Sequence, residues 1–431
     1  MANAFSKEER VAFENILEGF NDALVMSRNV SVYNVDGEMM ARTNDQIWRP
    51  QPYIATSING APRVDISTSF GDFTQLAVPA TIGFSKTVPF ALDAKELRDQ
   101  LQEGRLGDSA KQKLASDINV AIMNVAAAQS TVVVARSNAA GGYSDVAECD
   151  AAFNEQGVQM FDRYLALSSR SYNGMASDLA NRETMTGKPT TAYEKSYVGT
   201  VAGFETYKMD YANRILGNAT PVGDITINGA NQYYTPRATS TAGTGETANV
   251  DNRYQSLAVT LAVGAVLRVG DAFTLAGVNS VHHITKGDTG QPKTFRVISI
   301  TSGGGTAGNN VVVISPPIIS AQGATAAEEQ YKNVTATPAN GSTVTLLNVD
   351  AADINVFWQK DALEILPGRY SIPANAGVDL MRGTTDQGIE LVMQKFYDIN
   401  TAVTKYRMDT FFGVVNKQPE MSGIMLFNQV P

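Results

Sequence analysis

Between residues 222 and 349 the chain changes character, and this change limits the folds open to it more than any other feature. That window carries only seven Lys/Arg and seven Asp/Glu, so charged side chains are about half as dense there as in the rest of the chain. Helical periodicity stops there. In its place stand short runs rich in Val, Ile and Thr, separated by Gly, Asn and Pro: Tyr254–Val263, Asp271–Leu275, Thr294–Thr301, Asn310–Ser315 and Thr343–Asn348. Runs of this kind with turn residues between them read as strands. The window is long enough to own a core, so it is predicted to be an all-β domain inserted into a host that reads differently on both sides.

The host reads as α+β. Ser6-Lys7-Glu8-Glu9 has the form of a capping box, and Phe13, Ile16, Leu17, Phe20 and Leu24 follow at helical spacing, on a helix of about 20 residues. That stripe suits either the chain's own core or a partner. Glu14, Glu18 and Asp22 recur every fourth residue and form an acidic row, which costs a few tenths of a kcal/mol per pair unless a cation answers it. A second long helix is predicted over Asp108–Ala128, with Leu114, Ile118, Ile122 and Val125 on one side. Between the helices, Gln51–Leu92 reads as a long β-hairpin without a core of its own, marginal in isolation. Further on come a strand at Val132–Ala135, helices at Asp145–Phe161 and Ser171–Ala180, and strands at Tyr164–Leu167 and Phe204–Lys208. After the insertion, Asp350 and Asp353 read as caps of a helix over Ile354–Leu363, and Ala402–Arg407 and Phe411–Val415 as strands.

Catalytic material is scarce. The two histidines, His282 and His283, are neighbours, so on a strand they point apart and cannot share a metal. A single cysteine, Cys149, leaves no disulfide or Cys-x-x-Cys site and reads as a packed thiol. Gly303-Gly304-Gly305-Thr306-Ala307-Gly308 matches a dinucleotide fingerprint in letters, but a strand pattern follows where the phosphate site needs a helix, so a hairpin loop is predicted. No cofactor or metal is expected. The net charge of −9 disfavours a dedicated nucleic-acid binder. Apolar stretches are too short to span a membrane, and polar Met1–Arg10 does not read as a secretory leader, so folding in a cytoplasm is expected. A helix, a hairpin without its own core and a neutral β insertion point to a subunit whose neighbours complete it.

Ile47-Trp48-Arg49-Pro50, Val201-Ala202-Gly203-Phe204, Asn249-Val250-Asp251-Asn252-Arg253, Gly270-Asp271, Ala276-Gly277-Val278, Leu347-Asn348-Val349 and Asn355-Val356-Phe357-Trp358 resemble, in that order, segments of the coat protein of short-tailed Salmonella-type bacteriophages. The likeness is collinear to about Leu366 and weak beyond it. It implies the major-capsid fold of tailed phages and herpesviruses: an N-terminal arm (1–46), an extended hairpin loop (47–92), a peripheral domain with a spine helix (93–130), an axial and peripheral core (131–221 and 350–431), and an inserted six-stranded β-barrel (222–349). It also implies a major capsid protein, not an enzyme, that assembles in the host bacterial cytoplasm. With a scaffolding protein it would build an icosahedral shell of hexamers and pentamers around double-stranded DNA, without sequence-specific binding, and a portal protein would occupy one vertex. In the virion it forms the shell, without a membrane. The family pairs an acidic residue of its N-terminal helix with basic residues of scaffolding, and Glu14 aligns there, with Glu18 and Asp22 continuing the row. The family's long insertion loop is charged and bridges capsomers across two-fold axes. Here Gln232–Asn249 holds only Arg237 and Glu246, which leaves that role open. The runner-up is a barrel that binds a carbohydrate or peptide on a structural scaffold.

Overall fold

A computed structural model describes residues 7–33, 46–52, 55, 65, 67, 73–93, 100–181, 192, 194–196, 198–371 and 378–429. The chain divides into two units: one draws on residues 1–47, 79–125 and 363–415, the other on 48–78, 126–362 and 416–431.

The first unit opens with helix α1 (Lys7–Ala23), a single turn α2 (Val25–Arg28) and strand β1 (Ser31–Val32). Phe13, Ile16, Phe20 and Leu24 are buried, so the apolar stripe of α1 serves its own unit. Close approach depends on missing side chains. A Cβ at Gly107 of helix α3 (Gln100–Gln129) would stand 2.5 Å from Ile16 Cδ1, and one at Gly383 would strike Leu17. Helix α3 starts eight residues before the expected Asp108, and Leu114, Ile118 and Ile122 lie fully buried along it. Among the described residues the unit's main sheet has the order β1–β20–β23–β22–β21, where β20 is Leu363–Pro367, β21 Asp379–Thr384, β22 Glu390–Asp398 and β23 Val403–Asn416. The two separate strands expected over Ala402–Val415 are thus one.

The hairpin expected over Gln51–Leu92 is a different object. Strand β2 (Gln46–Pro50) pairs with β3 (Ala77–Thr81), while most of residues 53–72 lies outside the described residues. Strand β4 (Phe84–Leu92) leaves the ribbon and runs antiparallel to β23, with Phe84 opposite Phe412 and Leu92 opposite Thr404. Phe84 stacks on Phe412 and Phe90 on Tyr406, with centroids 5.4 and 5.2 Å apart. Such cross-strand aromatic pairs each add roughly 0.2–1 kcal/mol that a free hairpin arm lacks.

The second unit contains the sheet β5–β24–β19–β6–β8–β7, formed by Val132–Ala135, Ser422–Leu426, Asn355–Gln359, Arg163–Ser168, Phe204–Met209 and Thr200–Val201 respectively. Helices α4 (Tyr143–Gln156) and α5 (Ser169–Ala180) supply Val146, Cys149, Phe153, Tyr172 and Met175 to its core. Helix α4 stops five residues short of the expected Phe161 because Gly157 turns left-handed at φ 80°. The helix expected over Ile354–Leu363 is absent: that stretch contains β19 and the start of β20, and Asp353 lies in the short strand β18 (Ala352–Asp353), paired with β9 (Arg214–Ile215). Every residue of Asn355–Gln359 is buried. A helix shows one face, whereas a central strand hides both, and the Val356-Phe357-Trp358 run has the β-branched and aromatic side chains that fill such a strand.

Residues 225–346 form a third sheet, β10–β13–β16–β15–β14–β17, from Ile225–Ile227, Gln255–Leu261, Gly308–Ser315, Asp288–Ser302, Ala272–Val281 and Val344–Leu346. Its two end strands meet. Thr226 bridges Thr343 and the Ile227 N–H donates to the Ser342 carbonyl at 2.9 Å, so the sheet closes into a barrel. Leu257, Val259, Phe273, Phe295, Val312 and Ile314 fill it. The glycines Gly303–Gly308 form the β15–β16 hairpin turn, as expected. Gly303, Gly304 and Gly305 all have positive φ, and a Cβ at Gly305 would strike the Leu267 carbonyl. Helix α6 (Ala326–Tyr331) precedes β17, and an exposed ribbon, β11 (Thr239–Thr241) with β12 (Thr247–Asn249), projects from the barrel.

Candidate functional site

The acidic row lies where the helical spacing puts it. Glu14 and Glu18 are exposed on α1, on the face away from Phe13, Ile16 and Phe20, while the side chain of Asp22 falls outside the described residues, as does Ser6 of the capping box. Glu9 behaves differently. Its carboxylate accepts from Lys395 Nζ at 2.5 Å and from the Tyr406 hydroxyl at 3.0 Å, which pins α1 onto β22 and β23. One face of the helix is therefore fixed by packing and a half-buried ion pair, and the other presents negative charge to solvent.

Arg237 and Glu246 are both exposed but far apart. Asn252 holds Arg237 at the base of the ribbon, accepting from its N–H at 3.0 Å and donating to its carbonyl at 2.9 Å. Glu246 stands in the tip, where its carbonyl accepts from the Ala242 N–H at 2.8 Å. Five residues of strand separate the two levels, about 17 Å, so these side chains do not pair within one subunit. Asp251 and Arg253, flanking Asn252, are an ion pair at 2.6 Å, and Arg253 reaches on to the Asn416 carbonyl at 2.9 Å.

Where the chain enters and leaves the barrel, one buried carboxylate gathers both passes. Asp271 accepts from Asn218 Nδ2 at 2.7 Å, Asn348 Nδ2 at 2.9 Å and the Arg268 N–H at 2.7 Å. Burial raises the Asp271 carboxyl above its usual range, against the pull of these hydrogen bonds. The Gly270-Asp271 and Leu347-Asn348-Val349 segments, distant in the chain, thus meet in one knot.

A second join was invisible in the sequence. Strand β15 sends three side chains out of the barrel. Lys293 Nζ binds Glu420 Oε1 at 2.5 Å, Thr294 Oγ1 donates to the Thr131 carbonyl at 2.7 Å, and Arg296 donates to the carbonyls of Gly270 and Ser130 at 3.0 and 3.4 Å. A cation beside the carbonyl that follows α3 suits the negative end of that helix. Asn333 Nδ2 also donates to Glu420 at 3.2 Å, and His283 Nε2 stands 4.0 Å from its other oxygen. Burial pushes the Glu420 carboxyl up, but Lys293, His283 and the hydrogen bonds together outweigh it and hold it below its ordinary value. Burial lowers the His283 imidazole to about 4. His282 is used separately: its Nδ1 accepts from the N–H groups of Ile284 and Thr285, both at 3.2 Å. Cys149 is buried with its Sγ 3.7 Å from Met425 Sδ, and burial pushes its thiol well above the ordinary range. A lone Glu420 in Asn-Lys-Gln-Pro-Glu-Met offered no pattern, because its partner Lys293 lies on a remote strand of the sequence.

Among the described residues no group of three or more His, Cys, Asp or Glu is placed to hold a metal ion, and no helix is long and apolar enough to cross a membrane. Among solved structures, the CUS-3 coat protein I-domain is 39% identical, over 30% of this chain and 99% of that one, with a TM-score of 0.23. The capsid of Cyanophage P-SCSP1u is 11% identical over 92% of this chain and 85% of that one, with a TM-score of 0.41. Mycobacterium phage Che8 gives 8%, 93%, 90% and 0.44 respectively. The family model described as P22 coat protein, gene protein 5, matches residues 1–428. With a barrel tied into an α+β host, the chain belongs to the P22 coat protein family, structural coat proteins of bacteriophage capsids.

Proposed function

We propose that this coat protein assembles with a scaffolding protein into an icosahedral shell of hexamers and pentamers that encloses double-stranded DNA and carries a portal protein at one vertex. Assembly takes place in the host bacterial cytoplasm, and the chain's place is the virion shell. In this reading residues 1–46 are the arm, 47–92 the extended loop, 93–130 the peripheral domain with its spine helix, 131–221 and 350–431 the core, and 222–349 the insertion. The family match carries the proposal. The acidic net charge of −9 suits a wall that must not hold packed DNA. A binding module is less well supported, because side chains such as Phe273, Phe295 and Leu257 occupy the barrel interior.

Scaffolding contacts the exposed row Glu14 and Glu18, with Asp22 continuing it. The observation behind this is the two-sided helix: a face sealed by Phe13, Ile16 and Phe20, and an acidic face left to solvent. Exposed ion pairs are each worth roughly 0–1 kcal/mol and are screened by salt, which suits a partner that must leave. Arg237 and Glu246 act between capsomers, each on a neighbouring chain. Co-expression with scaffolding followed by negative-stain microscopy tests the whole: closed shells are expected, and a monodisperse monomer under those conditions would refute it. Glu14→Ala with Glu18→Ala is expected to lower shell yield and scaffolding affinity at low salt, and unchanged binding would place the contact elsewhere.

A further inference from the structure

The base of the β2–β3 ribbon is tied into its unit by long-range hydrogen bonds. From helix α6, Gln330 Oε1 accepts from the Thr74 N–H at 3.3 Å, and the Tyr331 hydroxyl donates to the Thr74 carbonyl at 2.8 Å. Ala77 forms a parallel bridge with Asp251. Gln51 Nε2 donates to the Lys417 carbonyl at 3.0 Å, and the Gln51 N–H to the Leu76 carbonyl at 2.9 Å. Pro52, Phe73 and Gln75 are exposed, so little packing backs these bonds. The base covers a cavity of about 50 Å³, in which Gln51, Pro52 and Leu76 form one wall and His283, Asn333 and Glu420 stand in the others. His283 Nε2 is buried there without a hydrogen-bond partner among the described residues, 4.0 Å from Glu420 Oε2. Charges face the ring from the elements around it: Glu420 from the turn after β23, Lys293 from β15, and Lys286 and His282 from its own turn. Arg253, across the cavity, is held by Asp251, while Glu329 and Lys332 lie around Lys286. The wall made by the ribbon base brings no charge.

We infer that the ribbon base is a strap, latched by Gln330 and Tyr331 over this cavity, and that proton uptake by His283 releases it. With the strap down, the imidazole is out of water and stands near two ammonium groups, while the one carboxylate beside it is already bound to Lys293. Lifting Gln51, Pro52 and Leu76 removes a wall of the cavity and lets water solvate a charged ring. The proton therefore binds the lifted form better and draws the chain toward it. Burial holds His283 at about 4 with the strap down, against an ordinary value of about 6.5 in water. Passing from pH 7 to 5 should thus shift the balance about twentyfold toward the lifted form. Lys286, lowered to about 8, has taken up its proton by pH 7 and adds almost nothing in that window. Glu420, held below its ordinary 4.5, acts only at lower pH.

Hydrogen exchange of the full-length chain tests both halves, read at the Thr74 and Gln51 amides as protection factors corrected for the intrinsic pH dependence of exchange. In the wild type these two amides are expected to exchange about tenfold faster than those of the barrel strands, because a local opening exposes them. They are also expected to lose protection about twentyfold between pH 7 and 5, and His283→Gln to abolish most of that loss. Tyr331→Phe deletes one hydrogen bond and is expected to speed exchange at Thr74 about fivefold at pH 7, leaving the barrel amides unchanged. Exchange of Thr74 and Gln51 at the barrel's own rate would mean that the base opens only when the barrel unfolds, and would overturn the strap. An equal loss of protection in the wild type and His283→Gln would overturn His283 as its trigger.

Discussion

At the scale of single residues, the barrel's hold on the rest of its unit depends on Glu420. Removing one partner of a buried ion pair costs roughly 3–5 kcal/mol, because the other charge stays in a poor solvent. Glu420→Gln leaves Lys293 without its counter-charge and is expected to lower the urea midpoint of the full chain by an amount equivalent to about 3 kcal/mol. The same cluster sets a pH dependence. Burial lowers His283 from 6.5 to about 4, so as pH falls the unfolded chain binds this proton first. Its stabilising contribution is complete above pH 6.5 and is lost toward pH 4, up to about 3 kcal/mol. Glu420, also held low, adds loss in the same direction below its ordinary 4.5. Stability measured from about pH 7 to 5 is therefore expected to fall less for His283→Gln than for the wild type; parallel curves would contradict this. The sequence did not disclose the cluster, since buried charge pairs have no spacing rule. Glu14 and Glu18 were legible because helical recurrence places side chains in space without knowledge of the rest of the fold.

At the scale of elements, the two faces of α1 should respond separately. Phe20→Ala removes a fully buried ring and is expected to cost about 3–5 kcal/mol. Glu14→Ala with Glu18→Ala touches only exposed positions and is expected to change stability by no more than about 0.5 kcal/mol in chemical denaturation. A comparable loss from both would mean that the acidic row is structural. Periodicity served α1, α3 and the barrel strands well because each shows one buried face. It failed at Ile354–Leu363, where the unbroken burial of Ile354–Gln359 erases the contrast that separates period 3.6 from period 2. It failed differently at Phe84–Leu92, which was read as part of the Gln51–Leu92 hairpin although its strand partner, β23, comes from the far end of the sequence. Strand pairing over that distance is a property of the packed molecule rather than of the local sequence.

At the scale of the whole molecule, the six barrel strands over residues 225–346 were the most legible part, because loss of charge and change of period coincide in that stretch. At the two ends of that stretch, Asn218 and Asn348 are joined at one buried carboxylate, Asp271. Since the barrel's core comes from its own strands, a 222–349 fragment is expected to give a β-type circular dichroism spectrum and a cooperative melt, and an unfolded spectrum would count against an autonomous insertion. Closure of that barrel by the Thr226–Thr343 bridge has a further consequence. A shell confines many identical chains at very high local concentration, where one unpaired sheet edge would template strand addition from a neighbour. A ring of strands has no such edge, and the ribbon it projects pairs only three residues on each side. Contacts through the barrel are thereby left to side chains, which can be formed and released one at a time.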